Sequence, residues 1–176
     1  MPGYLCVTKK EEMSVKKTIA IVGATEKTGR EIAMGFMQAD YRLLLVSNNK
    51  DQLDYLSKSI KDKKPKAEID SIDCVKDGCW EADIIILAIP FHEEEMVAEM
   101  MKEVATQKIV VSLSDDENTN GTLQQLLPYS RLVKVSGSIN SKNIFISGDD
   151  EEANEEVSTI FKQAGYKPEN KFTIYE

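Results

Sequence analysis

The sequence predicts an α/β protein: a doubly wound, mainly parallel sheet with helices on both faces, in three layers α/β/α. Three observations predict it. Short apolar runs alternate with amphipathic segments from Thr18 onward. The runs "TIAIV", "RLLLV" and "DIIILAI" are nearly continuous in apolar residues, the pattern of strands buried on both faces. The first run leads through a glycine-bearing turn straight into a helical segment, which is how parallel strands are connected. Crossovers of this kind are right-handed almost without exception, so the sheet is Rossmann-like.

The elements follow in order. Thr18–Val22 is a buried strand, and Gly29–Gln38 reads as a helix with Ile32, Ala33, Phe36 and Met37 on one face. Arg42–Val46 is a second buried strand. Asp51–Lys61 is a helix striped by Leu53, Leu56 and Ile60, and Glu68–Ile72 is a weak strand. Ile84–Ile89 is the most apolar strand and ends at Pro90. Glu93–Thr106 is a helix whose Met96, Val97, Met100, Met101 and Val104 read as core packing. Lys108–Leu113 is a strand, Leu123–Leu127 a short helix, and Arg131–Val135 and Asn143–Ser147 are strands. Glu151–Ala164 is a helix stopped by Gly165, and Phe172–Tyr175 a closing strand. Asp149 and Asp150 suit that last helix's N-terminus, where a carboxylate meets unpaired N–H groups and the positive end of the macrodipole.

The 176 residues suffice for one domain with a substantial core, expected over 18–176. Residues 1–17 are polar and read as a flexible N-terminal extension, since "MSVKKTIAIVG" at Met13 resembles a start just ahead of the first strand. Composition is that of an ordinary globular chain, 41% hydrophobic and 30% charged. The net charge of −8 argues against nucleic-acid binding, which needs a basic field. The longest apolar run, Ile84–Phe91, is far short of the roughly 20 residues of a membrane span. Cysteines 6, 74 and 79 are odd in number and lack zinc-ligand spacing, and His92 is the sole histidine. No metal is therefore expected, and a reduced, cytoplasmic setting is.

Candidate binding residues cluster at strand ends. After the first strand comes Gly23-Ala24-Thr25-Glu26-Lys27-Thr28-Gly29. Gly23 suits the tight turn and Gly29 the close helix–strand approach, leaving a helix N-terminus to receive a diphosphate. Glu26 stands where such loops commonly place another glycine. Two unit charges about 5 Å apart at an effective dielectric near 20 repel by about 3 kcal/mol. Lys27, Thr28 and Arg30 offset part of this. The second strand ends in Ser47-Asn48-Asn49-Lys50. A carboxylate there would mark NAD by accepting from the ribose 2′-hydroxyl. Hydroxyl, amide and ammonium groups instead suit a 2′-phosphate, which favours NADP over NAD. Ile89, Pro90, Phe91 and His92 close the apolar strand at the same end of the sheet.

The stretch "ADIIILAIPFHEEEMVAEM", with the glycine turn, "VSNNK", "KIVVSLSDD", "RLVKV" and "IFISGDDEEANEEVSTIFKQAGYKP", resembles the NADP oxidoreductase family that depends on the deazaflavin coenzyme F420. The wider group with similar amino-terminal domains includes pyrroline-5-carboxylate reductase. The resemblance runs from about Thr18 to Glu176 and implies hydride exchange between NADP and a flavin-like or deazaflavin partner, or another small molecule. It implies that Gly23, Ala24, Thr25, Thr28 and Gly29 face the pyrophosphate, Ser47, Asn48 and Lys50 the 2′-phosphate, and Ile89, Pro90, Phe91 and His92 the nicotinamide. His92 is the one candidate for a catalytic donor. The sequence departs from the family at Glu26. It departs again after "RLVKV", where "SGSINSKN" turns straight into the next strand. On the resemblance, further C-terminal helices complete the second pocket, and no counterpart to them is expected within these residues. A homodimer is expected on this reading, because a lone domain leaves its second substrate half covered.

Transfer between two cofactors needs no acid, base or nucleophile from the protein. Short-chain dehydrogenase chemistry needs Tyr-x-x-x-Lys, and no tyrosine here has a lysine four residues on. Hydrolase chemistry would require His92 with Ser112 or Ser114 and Asp115 or Asp116, and no nucleophile elbow is present. The rival to an enzyme is a dinucleotide-binding or degenerate Rossmann module that senses NADP or supports assembly, which Glu26 favours.

Overall fold

A computed structural model describes residues 16–114 and 119–170. Eight strands form one sheet in the order β3-β2-β1-β4-β5-β6-β7-β8. They are β1 (Thr18–Val22), β2 (Arg42–Val46), β3 (Ile69–Ile72), β4 (Ile84–Leu87), β5 (Ile109–Ser112), β6 (Arg131–Ser138), β7 (Asn143–Ser147) and β8 (Lys167–Asn170). All neighbours pair in parallel except β6 with β7. The fold is the Rossmann-like α/β/α arrangement that strand–helix alternation predicts.

Two apolar layers hold the helices to the sheet. The helices α1 (Lys27–Phe36), α2 (Lys50–Lys63) and α6 (Glu151–Gln163) cover one face, and α3 (Val75–Glu81), α4 (Phe91–Met101) and α5 (Thr119–Leu126) the other. On the first face Phe36, Phe161 and Tyr166 stack edge to face, with ring centroids 5.2 Å apart in each pair. The second face packs Ala98, Met101, Leu123 and Cys79 on Ala20, Ile85 and Val110. β1, β2 and β4 alternate their side chains between the two layers, which is why their sequences are apolar at every position.

Register sets where a ligand can sit. Val22 lies opposite Val46 on one side and Leu87 on the other, Val46 opposite Ile72, and Leu87 opposite Ser112. The C-terminal ends of five adjacent strands are therefore flush, and the turns that follow them meet along one rim.

Several expected boundaries shift. α1 starts at Lys27 and α4 at Phe91, each two residues early, because Glu26 and Pro90 take the extended N-cap conformation. α3 was not expected: it has only seven residues and carries Gly78, a poor helix former. A β-carbon at Gly78 would meet Val46 Cγ2 at 2.6 Å, so the glycine lets α3 lie directly on β2. "SGSINSKN" forms a hairpin turn with positive φ at Gly137 and Lys142, which makes β7 antiparallel. The expected strand Phe172–Tyr175 lies outside the described residues, as do residues 1–15 of the expected extension, and β8 is formed by Lys167–Asn170. Lys16 is paired with Asp40 and Glu68 at 2.9 and 2.7 Å, and Lys17 with Glu156. Among the described residues no helix is long and apolar enough to cross a membrane.

Asp150 caps α6, accepting the Ala153 N–H at 2.9 Å. It also takes two bonds from Arg131, Nε at 2.6 Å and Nη2 at 3.0 Å. The Arg131 guanidinium and the Ala153 amide hold its carboxyl down from 3.8 to about 2. A depressed carboxyl stabilises the fold fully above its ordinary value and loses that effect as pH falls through its folded value. Asp150→Asn keeps the cap and removes the ion pair. At pH 7 it should cost about 0.5–1 kcal/mol, and the gap in unfolding midpoint from the parent should close between pH 4 and pH 2. A gap unchanged across that window would contradict the assignment.

Candidate nucleotide-binding cleft

The strand order runs β3-β2-β1 in one direction and β4-β5-β6 in the other. The reversal between β1 and β4 opens a crevice beyond their C-terminal ends, the place where open α/β sheets bind ligands. A cleft of about 400 Å³ lies there.

Its floor is the turn after β1. Gly23 has φ +82°, and its N–H and that of Ala24 both donate to the Val46 carbonyl, at 3.0 and 3.2 Å. The Gly23 carbonyl accepts the Glu26 N–H at 3.0 Å. A β-carbon on Gly23 would overlap the Ala88 carbonyl oxygen, and one on Gly29 would overlap the Gly23 carbonyl oxygen. The two glycines thus bring the first turn of α1 hard against the end of β1. The leading amides of a helix have no intrahelical acceptor, and this close approach sets them next to Glu26, the N-cap residue on the cleft lining.

The wall on the β2 side is a chain of small polar contacts. Thr25 and Ser47 hydroxyls meet at 2.6 Å. Ser47 Oγ also accepts the Asn49 N–H at 3.1 Å, and Asn49 Oδ1 caps α2 by accepting the Gln52 N–H at 3.2 Å. Ser47 and Asn49 are therefore engaged in shaping the rim, and Asn48 is left exposed on the cleft wall.

Of the residues singled out in the sequence, the structure brings Gly23, Thr25, Ser47, Asn48 and Ile89 onto this cleft. Ala24 is fully buried beneath the turn, Gly29 is buried behind it, and Thr28 is half-buried in the first turn of α1, off the lining. Lys50 is the exposed first residue of α2, beside Asn48 but off the lining. Pro90 is the exposed N-cap of α4. Phe91 and His92 lie around the helix from the cleft, on a separate recess of about 80 Å³ shared with Thr122 and Leu123. Two residues after His92, Glu94 is 1% exposed and accepts from the Ser112 hydroxyl at 2.7 Å. That bond ties the start of α4 to the end of β5.

Sequence reasoning missed the third wall. Asp73 and Cys74, between β3 and α3, and Val75, the first residue of α3, line the cleft, as do Glu93, Met96, Val97 and Met100 of α4. Met96 and Met100 are 55% and 49% exposed, which corrects their reading as core. Val97, Ala98 and Met101 fill the sheet-facing side of α4, so the two methionines, four residues apart, form a second apolar stripe around the helix. The 93-96-100 spacing, extra to the stripe that covers the sheet, was the signal. Behind Cys74, Cys79 is fully buried, and burial pushes its thiol up to about 12.

Glu26 is the N-cap residue of α1 but makes no side-chain cap. It is exposed, lines the cleft, and pairs with no cation among the described residues. The carboxylate is thus not pinned in the anion's seat.

The turn, flush strand ends and crevice have the form of the switch-point site of a Rossmann-like sheet. The family comparison agrees: residues 18–116 match the model of the NADP oxidoreductase coenzyme F420-dependent family. The chain belongs to that family. Among solved structures it is similar to Plasmodium falciparum pyrroline carboxylate reductase with NADP bound, at 14% identity and TM-score 0.65, over 90% of this chain and 58% of that one. It is similar to a candidate F420-dependent NADP reductase from an Arthrobacter species, at 15% identity and TM-score 0.69, over 89% of this chain and 84% of that one. A third likeness is the N-terminal domain of HmdIII from Methanocaldococcus jannaschii, at 17% identity and TM-score 0.68, over 89% and 98% of the two chains. At these identities the likeness establishes the fold. The chain spans 58% and 60% of the lengths of the two pyrroline carboxylate reductases it matches. A search of curated proteins by sequence gave no match.

Gly29→Ala should cost about 1–3 kcal/mol through overpacking, seen as a fall of several degrees in the thermal midpoint. Gly121→Ala, where a β-carbon would meet nothing within 4 Å, should be neutral or stabilising. Equal effects would show that the close approach at Gly29 is not tight.

Proposed function

We propose that this chain is an NAD(P)(H)-dependent oxidoreductase whose cleft holds the dinucleotide and whose open side admits a flavin-like, deazaflavin or other small acceptor. One observation carries the reading. Gly23 and Gly29 leave no room for a β-carbon, and their packing sets the start of α1, at its N-cap Glu26, on the edge of a cleft at the sheet's switch point. The close backbone approach suits a dinucleotide, and the volume falls in the range of small-molecule sites. Family membership supports the same class.

When bound, the nicotinamide would supply the hydride chemistry itself. The chain's own part is binding, orientation and exclusion of water. Ile89, on the lining at the end of β4, would support the nicotinamide ring, and Pro90 would set the direction of α4 beside it. His92 and Phe91 lie on the neighbouring recess, from which they would reach an acceptor sooner than the dinucleotide. Preference for NADP rests on Asn48 and Lys50 at the tip of β2, where the first residues after Val46 carry no carboxylate.

A second reading, a nucleotide-binding module without turnover, is favoured by Glu26 on the cleft wall. Titration of NADPH, followed by nicotinamide and Trp80 fluorescence and then by NADPH consumption with flavin or coenzyme F420, separates the two. Consumption supports the oxidoreductase; binding alone supports the module; no binding at millimolar NADPH removes both. Lys50→Ala should weaken NADPH roughly threefold to tenfold, in keeping with loss of one exposed charge contact, and leave NADH nearly unchanged. Equal losses for the two would remove the NADP preference.

A further inference from the structure

Among the described residues, the cleft lining holds three carboxylates and no cation. Glu26 comes from the turn before α1, Asp73 from the end of β3 and Glu93 from the first turn of α4, and neither Lys nor Arg is among the lining residues. Each carboxylate stands on a different wall, so a ligand cannot avoid them all by shifting sideways. The nearby cations are held elsewhere or at the edge. Lys76 is paired with Glu103 at 2.7 Å, and Lys27 and Lys50 are exposed and off the lining. The dipole of α1, whose N-cap Glu26 is on the lining, is what favours an anion at this end.

The rest of the lining suits the other half of a nucleotide. Met96 and Met100 project from α4 opposite Val22 and Val46, with Val75 and Ile89 beside them. Thioethers make favourable contacts with aromatic rings. A carboxylate only accepts hydrogen bonds, and a nucleoside offers donors: the ribose hydroxyls and an exocyclic amine. The groups that repel phosphate are therefore also able to accept from a nucleoside.

Resting on the nucleotide reading, we infer that Glu26, Asp73 and Glu93 make the cleft select against phosphate charge in its interior, so that the nucleoside carries the binding and added phosphates weaken it. A 2′-phosphate escapes this penalty, because Lys50 stands at the rim rather than inside. Glu26, Asp73 and Glu93 are specificity-determining residues that set which adenine ligands the cleft accepts.

The test is calorimetric titration of the full chain with adenosine, AMP and ADP at low and high salt. ADP should bind the parent protein no more tightly than adenosine, and raising ionic strength should tighten ADP, because screening relieves repulsion. In the variant Glu26→Gln/Asp73→Asn/Glu93→Gln, which removes the charges and keeps one acceptor oxygen at each position, ADP should gain tenfold or more relative to adenosine. ADP binding the parent more than tenfold tighter than adenosine, and weakening with salt, would overturn the inference even if the variant fails to fold. If NADPH binds and is consumed while ADP behaves in that way, only this inference falls. If adenosine, ADP and NADPH all fail to bind the parent, the nucleotide reading falls and takes this one with it.

Discussion

The contact between Gly29 and the Gly23 carbonyl is the constraint on which the site depends. It fixes the distance of α1 from the end of β1, because no side chain can stand between them. That distance decides where the free amides of α1 point. The positive φ at Gly23 and the paired N–H bonds to Val46 hold the turn down on β2 as well, so the crevice has a rigid floor. Everything above it, the Thr25–Ser47 contact, the capped start of α2 and the methionine face of α4, is arranged around that floor.

Two fields of opposite sign meet in the cleft. The helix dipole and its unpaired amides favour an anion by roughly 0.3–1 kcal/mol at an exposed end. The carboxylates of Glu26, Asp73 and Glu93 oppose it, on a chain whose net charge is already −8. Because Glu26 is exposed and unpinned, its repulsion is softened by solvent rather than fixed in place. The cleft is therefore permissive to an anion in shape and restrictive in charge, which separates fold-level competence to bind a dinucleotide from strength of binding.

The architecture was legible because its signals are long-range and redundant. β1, β2 and β4 are apolar at nearly every position, α2 carries a clear stripe, and α6 opens on a capping carboxylate at Asp150. α3 was not legible: seven residues containing a glycine give no periodic signal, and its existence depends on Val46 receiving Gly78. The floor of the cleft could be read from two glycines, since only glycine fits where a β-carbon would overlap a carbonyl. The α4 wall could not, because Met96 and Met100 look like core until the sheet is seen to be covered by Val97, Ala98 and Met101. His92 and Phe91 follow the strand in sequence, yet the helix starts at Phe91 and carries them round to the neighbouring recess.

The central claim, that the glycine-paired turn presents the α1 amides to a diphosphate, is tested most directly by amide chemical shifts during NADPH titration. The account predicts that the largest saturable shifts fall on the N–H groups of Lys27, Thr28 and Gly29, with smaller ones at Asn48 and Ile89. Saturable shifts that leave those three amides unmoved and concentrate elsewhere would contradict it.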